Sequence, residues 1–162
     1  MLKAEREIHR KSAVESFNKT WIYLDEEKRS PADDLEMLHS AHASRYHWGL
    51  VGTPLNHAVG DWQISRVYAS LGQSELALRY ARLSLTICTK NGLAELMPSA
   101  CEAIARAYAA AKDSEHATEY VTKARRLLDR LPLEKEDRRI IGIVQAMRCS
   151  LDGGQEKYQR TV

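Results

Sequence analysis

Apolar residues recur at helical spacing along most of this chain. In the N-terminal segment they stand three or four positions apart, at Val14, Phe17, Trp21 and Leu24. The positions between them are mostly charged or polar, so a helix here would have one apolar side and one side facing water. The pattern predicts a first amphipathic helix over about residues 4–27.

Side chains that begin and end helices divide the rest of the chain. Ser30 with Pro31, and Thr53 with Pro54, each place an N-cap hydroxyl before a proline suited to the first helical position. Glycine and asparagine after apolar runs, and Pro132, indicate helix ends. Six further helices are predicted, over about residues 31–51, 54–71, 74–90, 95–112, 114–131 and 134–151. Seven helices joined by loops of about two to six residues predict an all-α fold built from antiparallel helical hairpins.

Composition agrees with a single helical domain and narrows its chemistry. The 162 residues include only 8 glycines and 4 prolines, and 24 Lys and Arg against 22 Asp and Glu leave a net charge of +2. This balance gives no electrostatic reason to expect nucleic acid or an anionic membrane as a partner. Since the sequence has no glycine-rich phosphate loop and no nucleophile elbow, we expect neither catalytic residues nor a cofactor.

The cysteines and the N-terminus indicate the compartment. Cys88, Cys101 and Cys149 are far apart and form no C-x-x-C pair, which is typical of a protein in a reducing cytosol. We expect Cys88 and Cys101 to behave as small apolar core residues. The N-terminus is too charged for a signal peptide, and no window approaches the roughly 18 apolar residues of a membrane-spanning helix. A cytoplasmic location is therefore predicted.

Two segments of the chain repeat each other. Residues 60–85 align with residues 100–125 at a constant offset of 40 and without a gap. Small residues recur at positions 65 and 105, 77 and 117, and 84 and 124, where they would let helices approach closely. Identical residues coincide at Arg66 and Arg106, Tyr68 and Tyr108, Ala69 and Ala109, Ser74 and Ser114, Glu75 and Glu115, and Ala77 and Ala117.

The order of these residues resembles the tetratricopeptide repeat. A small residue stands three positions before Tyr68, Gly72 follows four after the tyrosine, and small residues return at positions 77 and 84. The usual unit has about 34 residues, whereas the period in this chain is 40. Ser65 stands where the family usually has glycine, and Lys112 stands where the first copy has Gly72.

The resemblance implies a single domain of hairpins stacked in a short right-handed superhelix. It covers about residues 58–130, and the run over residues 41–69 also resembles uncharacterised bacterial proteins of this repeat type. The domain would comprise a divergent first hairpin at residues 1–52, repeats at 53–92 and 93–132, a capping helix at 133–152 and a tail at 153–162.

The resemblance also implies a function and a binding groove. The third and fifth helices would be the inner helices of a non-enzymatic scaffold that binds a protein or a peptide. The implied groove positions are Val59, Trp62, Arg66 and Ala69 in the first copy and Ser99, Glu102, Arg106 and Ala109 in the second. Helical spacing agrees that the first four share a stripe, distinct from a stripe expected in the core at Ile64, Tyr68 and Leu71.

The groove residues indicate what a partner would offer. Trp62 beside Arg66 and Arg106 can hold an extended peptide by apolar contact and by paired hydrogen bonds to carboxylates, so an acidic or C-terminal segment is the expected partner. Alternatively, the first hairpin covers Trp62, and the two arginines pair with Glu102 or other acids. Self-association through Trp48 or the late helices is a further expectation.

Three of the six histidines lie within residues 39–47, in the run HSAHASRYH. On a helix His39, His42 and Tyr46 share a stripe, and His57 follows in the next predicted helix. The cluster supports an alternative function, a small metal- or ligand-dependent enzyme that uses these four residues. A zinc site of the H-E-x-x-H type would also need a carboxylate, which this run lacks, so no metal is assigned. Packed or surface histidines are the simpler interpretation.

Overall fold

The computed structural model describes residues 1–131 as six α-helices, which confirms the all-α class predicted from the sequence. The part of the chain it describes contains no strand. The predicted seventh helix, which is the capping helix at 133–152, and the tail at 153–162 lie outside the described residues. The helices are α1 (Lys3–Leu24), α2 (Pro31–Val51), α3 (Pro54–Ser70), α4 (Ser74–Lys90), α5 (Met97–Ala110) and α6 (Ser114–Asp129), with a 3-10 turn at Ala94–Leu96 before α5.

Local hydrogen bonds explain why α2 begins where the sequence predicted. Ser30 Oγ accepts a hydrogen bond from the Asp33 N–H at 3.2 Å, and the Asp33 carboxylate accepts one from the Ser30 N–H at 2.8 Å. Pro31 occupies the first turn, where its missing N–H costs no helical hydrogen bond. This reciprocal cap needs only neighbouring residues, so it can be recognised in the sequence.

Several predicted helix limits differ from the structure by two or three residues, and local contacts explain two of the differences. α1 ends at Leu24, before the predicted limit, and the last turn is completed by Arg29, whose Nη1 donates to the Tyr23 carbonyl at 3.2 Å. Arg29 Nε also pairs with Asp34 at 2.7 Å, which ties the end of α1 to the start of α2. α5 begins at Met97 rather than near residue 95 because the three preceding residues form the 3-10 turn.

The main core joins α2, α3, α4 and α5. The predicted core stripe of α3 is confirmed, since Ile64 and Tyr68 are buried and Leu71 packs against them. Val14 is 44% exposed, so the apolar side of α1 is narrower than its sequence pattern predicted. The buried residues of this cluster are Met37 and Ala41 of α2, Ile64, Val67 and Tyr68 of α3, Ala77 of α4 and Ala107 of α5.

The same turn follows α3 and α5, at equivalent positions of the two copies. Gly72 has a φ of 72° and Lys112 has a φ of 60°, so both lie in the left-handed region. In each turn the next N–H, of Gln73 or Asp113, donates to the carbonyl of the repeat tyrosine at 2.9 Å. Lysine thus adopts the conformation that glycine adopts in the first copy, at a conformational cost that glycine avoids.

Helix packing places the two copies side by side. α1 packs on α2, α3 on α4 and α5 on α6, while α2 contacts α3 and α4 contacts α5. Within the α3–α4 hairpin, Ser65 Oγ donates to the Ala77 carbonyl at 2.8 Å, which is the close approach predicted for these small positions. α3 also contacts α5 directly, so the inner-face positions of the two copies are neighbours.

Candidate functional site

Trp62 lies at the junction of the first hairpin and α3. Its ring centroid is 5.8 Å from that of Trp21 in α1, and Trp21 is only 7% exposed. The Arg66 guanidinium stands 5.2 Å from the Trp21 ring centroid, within range of a cation–π interaction. Gln63 Nε2 donates to the Phe17 carbonyl at 3.0 Å and fixes α3 against α1. The first hairpin therefore covers part of Trp62, whose side chain stays half-buried.

A crevice of about 40 Å³ opens beside Trp62, between α3 and α5. Its walls combine two of the predicted groove residues, Val59 and Trp62, with a third inner-face residue, Ser99. Ala58, Ser84 and Leu96 complete the lining, which is mainly apolar. The inner positions of the two copies thus meet around one small concave feature.

The two serines of the crevice differ in their hydrogen bonds. Ser84 Oγ donates to the Ala58 carbonyl at 2.9 Å. Ser99 is 5% exposed, and its Oγ has no hydrogen-bond partner within residues 1–131. An unpaired buried hydroxyl is unfavourable for stability. The contacts within residues 1–131 therefore give no stabilising reason for a serine at position 99.

Glu102 and Arg106 form an ion pair on one side of α5. Glu102 is 6% exposed, and Arg106 Nη2 donates to its carboxylate one turn away. Pairing satisfies a charge that would otherwise be buried alone. Among these predicted groove residues, Arg106 therefore has a structural partner inside the protein, as the alternative interpretation anticipated.

The residues of the histidine cluster make separate contacts. His39 is exposed, with Nδ1 3.9 Å from Glu36, and Tyr46 is also exposed. His42 is half-buried, its Nε2 is 3.1 Å from the Tyr68 hydroxyl, and burial lowers the pKa of its imidazole. His57 Nε2 donates to a backbone carbonyl of α2 at 2.9 Å. No group of three metal-ligating side chains occurs among residues 1–131.

A buried ion pair near these histidines was not predicted. Arg45 of α2 donates to Asp61 of α3 at 2.8 Å, and Asp61 is buried. Burial raises the pKa of the Asp61 carboxyl, although Arg45 opposes the shift. Gly60 makes room for this arginine, because a Cβ at that position would lie 2.7 Å from Arg45 Cδ. In the sequence, only the glycine next to Asp61 could have indicated a close contact here. Its partner could not be identified, because Arg45 belongs to the preceding helix and is not a neighbour in the sequence.

A second unpredicted contact joins α1 to α2. His9 Nδ1 and His47 Nδ1 are 2.9 Å apart, and their ring centroids are 5.1 Å apart. One ring must donate and the other accept, so the pair needs at least one neutral imidazole. Burial and the neighbouring His9 lower the pKa of His47. The two histidines are 38 residues apart, so no local pattern in the sequence could have predicted their contact.

The cysteines match their predicted packing. Cys88 and Cys101 are buried and form no disulfide, and burial raises the pKa of the Cys88 thiol to about 11. A thiol with that pKa is almost entirely protonated at neutral pH and is a poor nucleophile. Cys149 lies outside the described residues.

None of the helices in residues 1–131 has the length and apolar character needed to cross a lipid bilayer. Comparison of the chain with models of protein families, with curated proteins and with solved structures finds no match.

Proposed function

We propose that this chain is a non-enzymatic scaffold of the tetratricopeptide type that binds a protein or peptide on the face shared by α3 and α5. The binding residues would be Val59, Trp62, Arg66, Glu102 and Arg106. The observation that supports the proposal best is the crevice beside the half-buried Trp62, because residues from the inner positions of both copies line it. Concave features with apolar walls and few polar groups are where proteins usually bind ligands.

Arg66 would provide the charged contact. Its guanidinium lies 5.2 Å from the Trp21 ring centroid and carries several N–H donors of the kind that pair with carboxylates. The contact with Trp21 restricts the side chain, so less conformational entropy is lost when a ligand binds. A peptide that places an apolar side chain against Trp62 and a carboxylate beside Arg66 fits these two groups.

Arg106 would act through its pair with Glu102. Its bond to the buried Glu102 neutralises much of its charge, and removing Arg106 would remove a partner of the buried carboxylate. We therefore expect the Glu102–Arg106 pair to shape the end of the binding face, while Arg66 selects for an acidic or C-terminal segment.

The cytoplasm is the compartment that we propose for this activity. The thiols of Cys88 and Cys101 are buried and unbridged, which fits a reducing environment.

Selection of peptides on the purified full chain tests the function. Phage-displayed random peptides would be enriched, synthesised and measured by fluorescence anisotropy. We expect Trp62→Ala and Arg66→Gln each to weaken the enriched peptides by about tenfold or more. Arg79→Gln is the matched control, because Arg79 is exposed on α4 and does not line the crevice.

Two results would contradict the proposal. The first is enrichment of no peptide. The second is a set of peptides that bind Trp62→Ala and Arg66→Gln as tightly as the unaltered chain, while circular dichroism shows that both variants keep their helices.

A further inference from the structure

The crevice beside Trp62 has the dimensions of one small side chain. Its volume is about 40 Å³, on a scale where a single water occupies about 10–15 Å³. About three non-hydrogen atoms therefore fit within this volume, the number in a small side chain. Valine and threonine each have three non-hydrogen atoms beyond Cα, so both match the crevice in size.

The two hydroxyl groups of the crevice distinguish threonine from valine as its occupant. The Ser84 hydroxyl is already used, since it donates to the Ala58 carbonyl at 2.9 Å. The Ser99 hydroxyl has no partner within residues 1–131, although the residue is only 5% exposed. A hydroxyl can both donate and accept, so it is best satisfied by another hydroxyl.

Building on the peptide-binding function proposed above, we infer that the crevice binds one side chain of the peptide and prefers threonine to valine. The threonine methyl would pack against Val59, Trp62 and Leu96, and its hydroxyl would exchange a hydrogen bond with Ser99 Oγ. Because Ser99 Oγ is itself buried, the side chain would have to rotate about χ1 to another staggered position to make this bond. Valine fills the same space but leaves the Ser99 hydroxyl unpaired, so threonine should be favoured by the modest amount that one hydrogen bond gives.

The position of Arg66 favours a peptide in which an acidic residue stands next to the threonine. It lies one turn along α3 from Trp62, on the same helical stripe but outside the lining of the crevice. A peptide with threonine in the crevice would therefore place a neighbouring carboxylate close to the guanidinium. The predicted recognition element is a threonine flanked by a carboxylate, supplied by Asp, Glu or the C-terminus.

Two small compounds test the crevice without requiring a natural partner. N-acetyl-L-threonine N-methylamide and N-acetyl-L-valine N-methylamide would be titrated into the ¹⁵N-labelled full chain. The indole N–H of Trp62, assigned with Trp62→Phe, reports occupancy by NMR. We expect the threonine compound to bind about three- to tenfold more tightly, which is the range that one satisfied hydrogen bond gives.

Two serine variants form a matched pair. Ser99→Ala keeps the crevice but removes the unpaired hydroxyl, so the preference for threonine should vanish. Ser84→Ala removes a hydroxyl from the same crevice that already has a partner, so the preference should persist. Thermal unfolding checks that each variant is folded, and the comparison of the two compounds on the unaltered chain needs no variant.

Each result bears on one of the two ideas. Equal affinities, a preference retained in Ser99→Ala, or no shift of the Trp62 signal with either compound would overturn the threonine subsite. If selected peptides still bind through Trp62 and Arg66 in that case, the scaffold function stands. If the threonine compound is preferred but no selected peptide depends on this face, the crevice assignment holds and the scaffold function fails.

Discussion

At the scale of single residues, Lys112 adopts a backbone conformation that lysine disfavours. Its φ of 60° is the left-handed value that Gly72 adopts in the first copy. We expect Lys112→Gly to raise the free energy of unfolding by about 0.5–1 kcal/mol, because glycine enters this region without steric cost. Urea denaturation measures the change. Gly72→Ala is the reciprocal control and should lower stability, whereas a loss of stability in Lys112→Gly would contradict this account of the turn.

The two crevice serines should have opposite effects on stability. Ser84→Ala breaks the hydrogen bond to the Ala58 carbonyl and should cost about 1 kcal/mol. Ser99→Ala removes a buried hydroxyl without a partner in residues 1–131 and should leave stability unchanged or increase it. Thermal unfolding of both variants at one pH makes the comparison. Equal destabilisation would mean that Ser99 has a hydrogen bond in solution.

Gly60 and Gly49 provide a matched test of the space around Arg45. A methyl group at Gly60 would lie 2.7 Å from Arg45 Cδ, whereas one at Gly49 would lie 3.4 Å from Arg45 Nη1. Gly60→Ala should displace the arginine from Asp61 and cost about 1–3 kcal/mol. Gly49→Ala should be neutral or stabilising, since alanine favours a helix. Chemical denaturation measures the free energy of unfolding of both variants. If Gly60→Ala caused no loss of stability, the Arg45–Asp61 pair would be able to shift without cost, contrary to this prediction.

At the scale of the elements, His42 makes the attachment of α2 depend on pH. Its ring contacts Tyr68 of α3 and Tyr80 of α4, and burial lowers its pKa below the ordinary value of 6.5. The unfolded chain therefore binds this proton more readily, so stability is lost as the pH falls below about 6.5. The raised pKa of Asp61 has the opposite effect on stability. Its contribution to the free energy of unfolding is lost as the pH rises through the pKa of the folded state.

Comparing histidine variants isolates this effect from the other groups. Urea denaturation at pH 7.5 and pH 5.5 should show a smaller difference in stability for His42→Gln than for the unaltered chain. His39→Gln is the control on the same helix, because His39 is exposed. An undiminished pH dependence in His42→Gln would mean that His42 does not contribute to it.

The elements also show which features a sequence can predict. The predicted start of α2 was correct because Ser30, Pro31 and Asp33 are close in the chain and the hydrogen bonds of this cap are local. The stripe of Trp62 and Arg66 was implied by the family resemblance, and helical spacing agreed with it. Their contacts with Trp21 were not predicted, because the side chains that meet at Trp62 come from helices that are distant in the sequence. The same limit applies to His9 with His47 and to Arg45 with Asp61.

At the scale of the whole molecule, two structural features recur with the period of the repeat within residues 1–131. Tyr68 stacks near Tyr80 at 5.6 Å, and the equivalent pair, Tyr108 and Tyr120, lies at 5.9 Å. Because the turn and the tyrosine pair both recur, inserting a second copy of residues 73–112 after Lys112 should extend the stack by two helices. We expect a proportional rise in helical circular dichroism and a single unfolding transition. A helical signal that does not increase would contradict the modular description.

The contact between Trp21 and Trp62 also has an optical consequence. Two indoles with centroids 5.8 Å apart and planes inclined by 45° couple their electronic transitions, and this coupling depends steeply on separation and angle. The protein should therefore show an exciton signal in its circular dichroism that disappears in Trp21→Phe. Any occupant that tilts Trp62 would change this signal, so the binding face contains its own label-free spectroscopic reporter.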